Sequence, residues 1–265
     1  MTRWRQLAAL AVAAGSIAAA PQIVPNRATY EVSLAHAVPG GVIGARGRTV
    51  IEVSDTCDGW RTVERFLLDT SDGDGQVSRS DFVITAWEDK TGQAMHFEVT
   101  DMSDGTIDER NKGRAELAAD GGTVTLTAPV ASSFALPAGT VFPMAQTLEI
   151  LHAAEAGKTG LSGPVFQGGD ATSLYYSTAT IGKLVGLADP GREAPDGAAD
   201  LLSGVAAWPV VMGYYPTGKD GLSPDYEVAT RLYANGIAGS MTLIYSDFTL
   251  TAKLTKLERL PPPKC

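Results

Sequence analysis

The sequence predicts a mainly β protein in which one continuous antiparallel sheet carries a single packed helix. Short segments that alternate apolar and polar residues recur along most of the 265 residues, which is typical of strands. The 29 glycines and 15 prolines supply turns between them. Only one stretch has clear helical spacing. Hydrophobic residues make up 44% of the chain, enough for a sizeable core.

The first twenty residues are predicted to be a secretory signal peptide. Arg3 and Arg5 form a short basic start, residues 7–14 are an apolar run, and residues 16–20 are mostly small. This three-part pattern is typical of exported proteins. The alternative is a transmembrane anchor, but the run is well short of the roughly 20 apolar residues that a span requires. We expect cleavage near residues 18–20, which leaves residues 21–265 as a single β-domain.

Strands are predicted at regular intervals in the first half of the chain. In residues 28–36, the apolar side chains of Tyr30, Val32 and Leu34 alternate with polar ones. Later segments of similar length are separated by turns rich in glycine and aspartate. They are 44–53, 60–68, 78–88, 94–101, 105–112, 114–117 and 122–127. This regular spacing favours an antiparallel meander.

The one strong helix candidate is Met144–Gly157. Met144, Leu148 and Leu151 keep helical spacing, and Gly157 is placed to end the helix. A second, short helix is predicted through residues 200–205. Asn235-Gly236 is the strongest hairpin signal in the chain. Strands are predicted around these elements at 173–182, 208–216, 225–233 and 237–257.

Residues 70–81 partly match a calcium-binding loop, because Asp72 and Asp74 occupy alternate positions. Two substitutions count against calcium. Thr70 stands where the first carboxylate is expected, and Asp81 replaces the usual glutamate. The flanks also alternate like strands, whereas such a site needs helices. The pattern therefore favours the tip of a hairpin over a weak calcium site.

No motif indicates catalysis or metal binding. His36, His96 and His152 share no metal-ligand spacing, and neither a nucleophile elbow nor a phosphate loop is present. The net charge of −9 becomes about −11 once Arg3 and Arg5 are removed, which argues against a nucleic-acid partner. We therefore expect a protein that is not an enzyme and that needs neither cofactor nor metal.

Four aromatic residues are more suggestive of a ligand. Phe142, Tyr175, Trp208 and Tyr214 lie on predicted strands or at their ends. Either they pack within the core, or they form part of a curved apolar face with a groove for a lipid or a peptide. The sequence alone leaves both interpretations open.

The chain has two cysteines, Cys57 and Cys265. In an exported protein, two cysteines most simply form one disulfide. That bond would close a loop spanning most of the chain and would hold the C-terminal tail. The alternative is a pair of free or intermolecular thiols.

Several short stretches together resemble the EipB cell-envelope integrity family, a group of exported proteins first described as a domain of unknown function. The resemblance extends from about Pro25 to Cys265 and depends on the order and spacing of the stretches. They are Ala45-Arg46-Gly47-Arg48, Cys57-Asp58-Gly59, Trp87-Glu88-Asp89, Leu136-Pro137-Ala138-Gly139 with Phe142-Pro143, Trp208-Pro209-Val210, Asp225-Tyr226-Glu227 and Asn235-Gly236.

This resemblance implies a periplasmic protein whose sheet is an open, barrel-like spiral held by a disulfide between Cys57 and Cys265. It also implies a non-enzymatic role in envelope integrity through a partner protein, for which a periplasmic tetratricopeptide-repeat protein is a candidate. The family looks structurally like periplasmic lipoprotein carriers. The alternative function is therefore a carrier that binds a lipid or lipoprotein on its concave face. The chain departs from the family from Met144 onward, where the family helix is more basic.

Overall fold

One antiparallel sheet that is nearly closed as a barrel makes up most of the protein. The computed structural model describes residues 22–185, 195–218 and 223–265. The predicted fold class, a large open-barrel-like antiparallel sheet with one packed helix, is confirmed. The predicted signal peptide, residues 1–20, lies outside the described residues. Within the described ranges, no helix is long and apolar enough to cross a membrane.

The strands and helix follow one another with short connections. The strands are β1 Asn26–Ala37, β2 Gly44–Asp55, β3 Gly59–Ser71, β4 Val77–Asp89, β5 Ala94–Ser103, β6 Thr106–Ala118, β7 Gly121–Ala128, β8 Ser132–Leu136, β9 Gly160–Phe166, β10 Leu174–Ile181, β11 Asp196–Gly197, β12 Ala207–Pro216, β13 Tyr226–Tyr233, β14 Ala238–Tyr245 and β15 Phe248–Arg259. The helix α1 spans Pro143–Glu155, and single 3₁₀ turns occur at Ala171–Ser173 and Ala199–Leu201.

The two halves of the chain form two meanders that meet in the middle of the sheet. Neighbouring strands follow the order β8-β7-β6-β5-β4-β3-β2-β1-β15-β14-β13-β12-β10-β9. The junction is the long antiparallel pairing of β1 with β15, from Asn26 opposite Arg259 to Ala37 opposite Phe248. The edges are therefore β8 and β9, which come from the middle of the chain. The short strand β11 lies off this path and pairs in parallel with β15.

The helix α1 connects the two edge strands. Pro143 stands in its first turn, where its fixed φ and missing N–H cost nothing. Met144, Ile150 and Leu151 are buried on one side. Gly157 ends the helix at φ 70°, and the N–H of Lys158 bonds the carbonyl of Ala153 at 2.8 Å. The predicted helix, Met144–Gly157, thus agrees with the observed one to within two residues at either end.

Two finer predictions need correction. The predicted break between residues 105–112 and 114–117 is absent, because β6 runs through Gly113. A Cβ there would lie 2.6 Å from the carbonyl oxygen of Thr125 and 2.9 Å from Phe97, so tight packing accounts for this glycine. The predicted short helix at 200–205 is a single 3₁₀ turn, Ala199–Leu201.

The sheet has an inner face that carries the core and an outer face that carries most of the charges. Alternate residues on each strand point inward, as in Ala28, Tyr30 and Val32 of β1, which are 1–2% exposed. Three buried clusters cover the inner face. The largest surrounds the β1–β15 junction, the second lies under α1, and the third lies between β4 and β8.

Cys57 and Cys265 lie at disulfide distance. Their sulfur atoms are 1.97 Å apart and their Cα atoms 5.8 Å apart, at a sequence separation of 208. Cys57 occupies the tight turn between β2 and β3 at φ 71°. The carboxylate of Asp55 accepts a hydrogen bond from the N–H of Cys57 at 2.8 Å, which fixes this turn. The bond therefore ties the C-terminal tail beyond β15 to the β2–β3 turn.

Candidate functional site

The four aromatic residues singled out from the sequence occupy different parts of the interior. Phe142 is fully buried with Phe166 in the cluster between β4 and β8. Trp208 is 7% exposed and packs in the cluster under α1. Tyr175 and Tyr214 contact each other edge to face, with ring centroids 6.0 Å apart. The structure thus brings two of the four together, and the binding role of all four stays a prediction.

Tyr175 and Tyr214 belong to a longer row of side chains, which we call the tyrosine ladder: Tyr175, Tyr214, Tyr226, Tyr245 and Phe248. The rings of Tyr214 and Tyr226 stack with centroids 4.7 Å apart. Tyr226 lies 6.2 Å from Tyr245, which lies 4.8 Å from Phe248. Each such aromatic pair contributes roughly 0.5–1.5 kcal/mol beyond its buried area. The ladder is therefore a firm apolar surface.

The register of the sheet explains why the ladder lies on one face. Tyr226 on β13 stands directly opposite Tyr214 on β12 and Tyr245 on β14. Trp208 and Val210 share the face of Tyr214, because they precede it at even spacing on β12, and both pack under α1. The ladder therefore crosses the inner face from β10 to β15.

Two glutamines connect the ladder to neighbouring elements. The side chain of Gln167, just after β9, exchanges hydrogen bonds with the hydroxyl of Tyr226 at 2.7 and 2.9 Å. Gln146 of α1 accepts a hydrogen bond from the hydroxyl of Tyr214 at 3.3 Å and donates one to Ser177 at 2.9 Å. Gln146 is only 5% exposed. A shift of α1 would therefore be transmitted to the ladder.

Glu64 on β3 is a carboxylate on the inner face. It stands opposite Ile51 and Ile84, and the described residues contain no hydrogen-bond or ion-pair partner for it. Desolvation raises the pKa of Glu64. Its charge also acts on Tyr214 and Tyr245. Since β3 and β14 are four steps apart, about 19 Å along a flat sheet, this coupling reflects the curvature that turns them toward each other.

The phenols of the ladder stay protonated at neutral pH. Burial, with a smaller contribution from the charge of Glu64, raises the pKa of Tyr214 to about 12. Burial likewise raises the pKa of Tyr226 well above 10 and, together with Glu64, raises the pKa of Tyr245. These groups can therefore donate hydrogen bonds, and they carry no charge on a surface that is otherwise apolar.

Glu88 on β4 anchors the start of α1. Phe142, which precedes the helix, makes no side-chain capping bond. Instead both carboxylate oxygens of Glu88 accept from the N–H of Met144 at 3.0 Å, and one accepts from the N–H of Ala145 at 3.4 Å. An anion is favoured at a helix N-terminus. Yet Glu88 is 1% exposed, and desolvation outweighs these bonds and raises its pKa to about 7.

The partial calcium motif at residues 70–81 forms the β3–β4 hairpin. The pairing continues to Ser71 opposite Val77. One carboxylate oxygen of Asp72 accepts from the N–H groups of Asp74 and Gln76, both at 3.0 Å, which is the usual role of aspartate in a turn. In the described part of the chain, no group of three or more His, Cys, Asp or Glu side chains could hold a metal ion.

Sequence reasoning missed most of the inner-face site. Tyr226 appeared only within a short motif, and Tyr245, Phe248 and Glu64 were not singled out. The alternation of residues 225–233 was a usable signal, because it places Tyr226 on the same face as Val228 and Leu232. Which strand then lies beside it cannot be read from alternation. Chemically, the site offers neutral phenols, one carboxylate and a large aromatic surface, an arrangement suited to binding.

Comparisons with known proteins agree on one family. The family model described as EipB-like matches residues 17–261. The cell envelope integrity protein EipB of Brucella abortus (strain 2308) is 32% identical over 255 residues, covering 92% of this chain and 87% of that protein. The crystal structure of a β-barrel-like protein of a domain of unknown function from Brucella abortus superimposes with a TM-score of 0.82 at 28% identity. That match covers 91% of this chain and 100% of the other.

Proposed function

This chain belongs to the EipB-like family, and from that premise we propose that it is a periplasmic protein that supports cell-envelope integrity by binding a partner protein. The observation that carries the proposal is the 32% identity to a protein named for envelope integrity, which extends over 92% of this chain. The match includes the whole sheet, so the proposed role belongs to the entire fold.

The disulfide supports a location outside the cytoplasm. Cys57 and Cys265 are bonded, and such bonds persist in oxidising compartments such as the bacterial periplasm. The predicted signal peptide at residues 1–20 would deliver the chain there. Together with the envelope role of the relative, these features favour the periplasm over the cell exterior.

A binding role fits the architecture better than a catalytic one. Strands tied by long pairings and a disulfide give a surface of fixed shape, which lowers the entropic cost of binding a partner. The family resemblance makes a periplasmic tetratricopeptide-repeat protein the first partner to test. The phenols of the ladder keep their protons at neutral pH, so they favour hydrogen bonding over proton transfer.

Deletion of the gene tests the envelope role. We expect the deletion strain to become more sensitive to detergent and to β-lactams, and a plasmid copy of the gene to restore resistance. Cross-linking in intact cells, followed by purification of the tagged protein, should then yield the same partner in repeated experiments. Unchanged sensitivity together with no cross-linked partner would overturn the proposal.

The tyrosine ladder supports a second candidate function, that of a carrier for a lipid or lipoprotein. Its phenols and rings could bind an acyl chain along the inner face if α1 moved, since Gln146 links α1 to Tyr214. Native mass spectrometry of gently purified protein is the test. A carrier should retain a lipid of defined mass, and replacing Tyr226 by Ala should release it. Protein free of lipid, with an unchanged melting temperature in the presence of lipid, would exclude this candidate.

A further inference from the structure

A groove on the outer face of the sheet lies opposite the third core cluster. Its volume is about 400 Å³, and residues of five consecutive strands, β3 to β7, line it. Residues that line it include Arg61, Trp87, His96, Lys112 and Arg114. Neither the family resemblance nor the inner-face site involves this groove. Its composition, with aromatic and cationic side chains, is that of interface hot spots.

One row of side chains crosses the groove from strand to strand. Arg61 stands directly opposite Trp87, Trp87 opposite His96, His96 opposite Arg114, and Arg114 opposite Thr125. Side chains at such positions lie side by side on one face. The row therefore presents an indole and an imidazole flanked by two guanidinium groups.

The floor of the groove is backbone. Ala86, Phe97 and Gly113 line it, but they share the inner face with the core, where Ala86 and Phe97 are buried. Thr85 and Glu98 form the opposite wall, two residues along their strands from Trp87 and His96. The groove is thus the space between two rows of outward side chains.

Trp87 is held in a fixed position. Its indole N–H donates to the hydroxyl of Thr56 at 3.0 Å. A Cβ on Gly59 would lie 2.3 Å from the same ring nitrogen, so the missing side chain of Gly59 makes room for the indole. The ring centroid lies 5.5 Å from that of His96. A preorganised aromatic group binds at a lower entropic cost than a mobile one.

The two arginines retain free hydrogen-bonding capacity. The nearest carboxylates are Glu52 at 3.8 Å from Arg61 and Glu116 at 3.6 Å from Arg114, both too far for a hydrogen bond. By contrast, Glu98 already bonds Arg110 at 2.6 Å and is also paired with a lysine. The groove therefore offers positive charge on a protein whose net charge is −9.

We propose that this groove binds an extended acidic segment of the partner protein, with the pattern acidic–x–apolar–x–acidic, laid across the strands. Arg61 and Arg114 are three strands apart, or about 14 Å. In an extended peptide, residues i, i+2 and i+4 point to the same side and span about 13 Å. The two acidic residues would meet the arginines, and the central apolar residue would meet Trp87 and His96. This inference rests on the proposed binding of a partner protein.

Fluorescence anisotropy with two labelled peptides of identical composition tests the spacing. The probe has the sequence Glu-Ser-Phe-Ser-Glu, and the control has Ser-Glu-Phe-Glu-Ser, which places both acids on the side opposite the phenylalanine. We expect the probe to bind with a dissociation constant below about 1 mM and several-fold more tightly than the control. Added salt should weaken the binding.

Protein variants test the site. Arg61→Gln and Arg114→Gln should each weaken binding of the probe about fivefold, as expected for exposed charge pairs, and the double variant should weaken it about 20-fold. Arg48→Gln is the matched control, because Arg48 is 60% exposed on β2, away from the groove, and it should leave binding unchanged. Equal melting temperatures would show that the variants are folded.

The outcomes separate this inference from the proposed function. Equal binding of both peptides, no binding of the probe, or binding insensitive to both arginines would overturn the groove as an acidic-peptide site. Binding of phosphatidylglycerol vesicles that depends on both arginines, without binding of the probe, would assign the groove to a lipid surface and would also overturn it. In either case the deletion phenotype and a cross-linked partner would still stand, which places the failure in the groove alone.

Discussion

Replacing Glu88 by Gln should remove a large part of the pH dependence of stability. Glu88 is 1% exposed, and burial raises its pKa from 4.5 to about 7. Between these values the native protein holds a proton that the unfolded chain has released. Stability must therefore fall as pH rises through this window and level off above about 7. The shift corresponds to about 3 kcal/mol.

Glutamine preserves the shape of the side chain and a carbonyl acceptor for the N–H of Met144, but it cannot titrate. The difference in unfolding free energy between Glu88→Gln and the natural protein should change by about 3 kcal/mol in favour of the variant between pH 4.5 and pH 8. Urea denaturation at several pH values, followed by tryptophan fluorescence, measures this difference. Glu116→Gln controls for the substitution itself, because Glu116 is 70% exposed.

The comparison between variants isolates Glu88 from other groups, including Glu64, whose pKa is also raised by burial. Parallel pH profiles for the natural protein and Glu88→Gln would refute the reasoning. A variant less stable at every pH by the same amount would mean that Glu88 acts only as a hydrogen-bond acceptor for α1.

Three further substitutions or additions test separate features. Cys57→Ser should lower the unfolding free energy by roughly 2–5 kcal/mol; calorimetry should show the same loss for the natural protein in reductant and no further loss for the variant. Gly59→Ala should cost about 1–3 kcal/mol, because its Cβ would lie 2.3 Å from the ring of Trp87. Gly73→Ala, with nothing within 4 Å, should be nearly neutral in the same melts. Millimolar calcium should leave the melting temperature unchanged, since Asp72 already bonds backbone N–H groups, and a rise of several degrees would restore the calcium hypothesis.

The sequence was informative wherever a single segment contains its own signal. Alternation located β1 and β13, the spacing of Met144 and Leu151 located α1, and Asn235-Gly236 located the turn before β14. Local reasoning failed where a residue serves a distant neighbour. Gly113 was taken for a break because nothing local shows that Phe97 and Thr125 press against it.

The candidate site depends on pairings that no local pattern encodes. Glu88 was part of a family motif, yet its role depends on α1, whose first N–H groups lie 56 residues further along the chain. The tyrosine ladder requires β13 to lie between β12 and β14 and Tyr226 to stand opposite a tyrosine on each. A register change of one residue would have moved Tyr226 to the outer face.

The meeting of β1 and β15 in the middle of the sheet has a consequence for export. The chain enters the periplasm from its N-terminus, so β1 to β8 can pair in succession while β1 still lacks its second neighbour. Until β15 arrives, β1 is an open strand edge, the kind of surface that promotes aggregation. A circular permutant that joins the natural ends and begins at β9 would make every neighbouring pair on the main path consecutive in sequence. It should therefore fold faster, and it would need less protection by periplasmic chaperones during secretion.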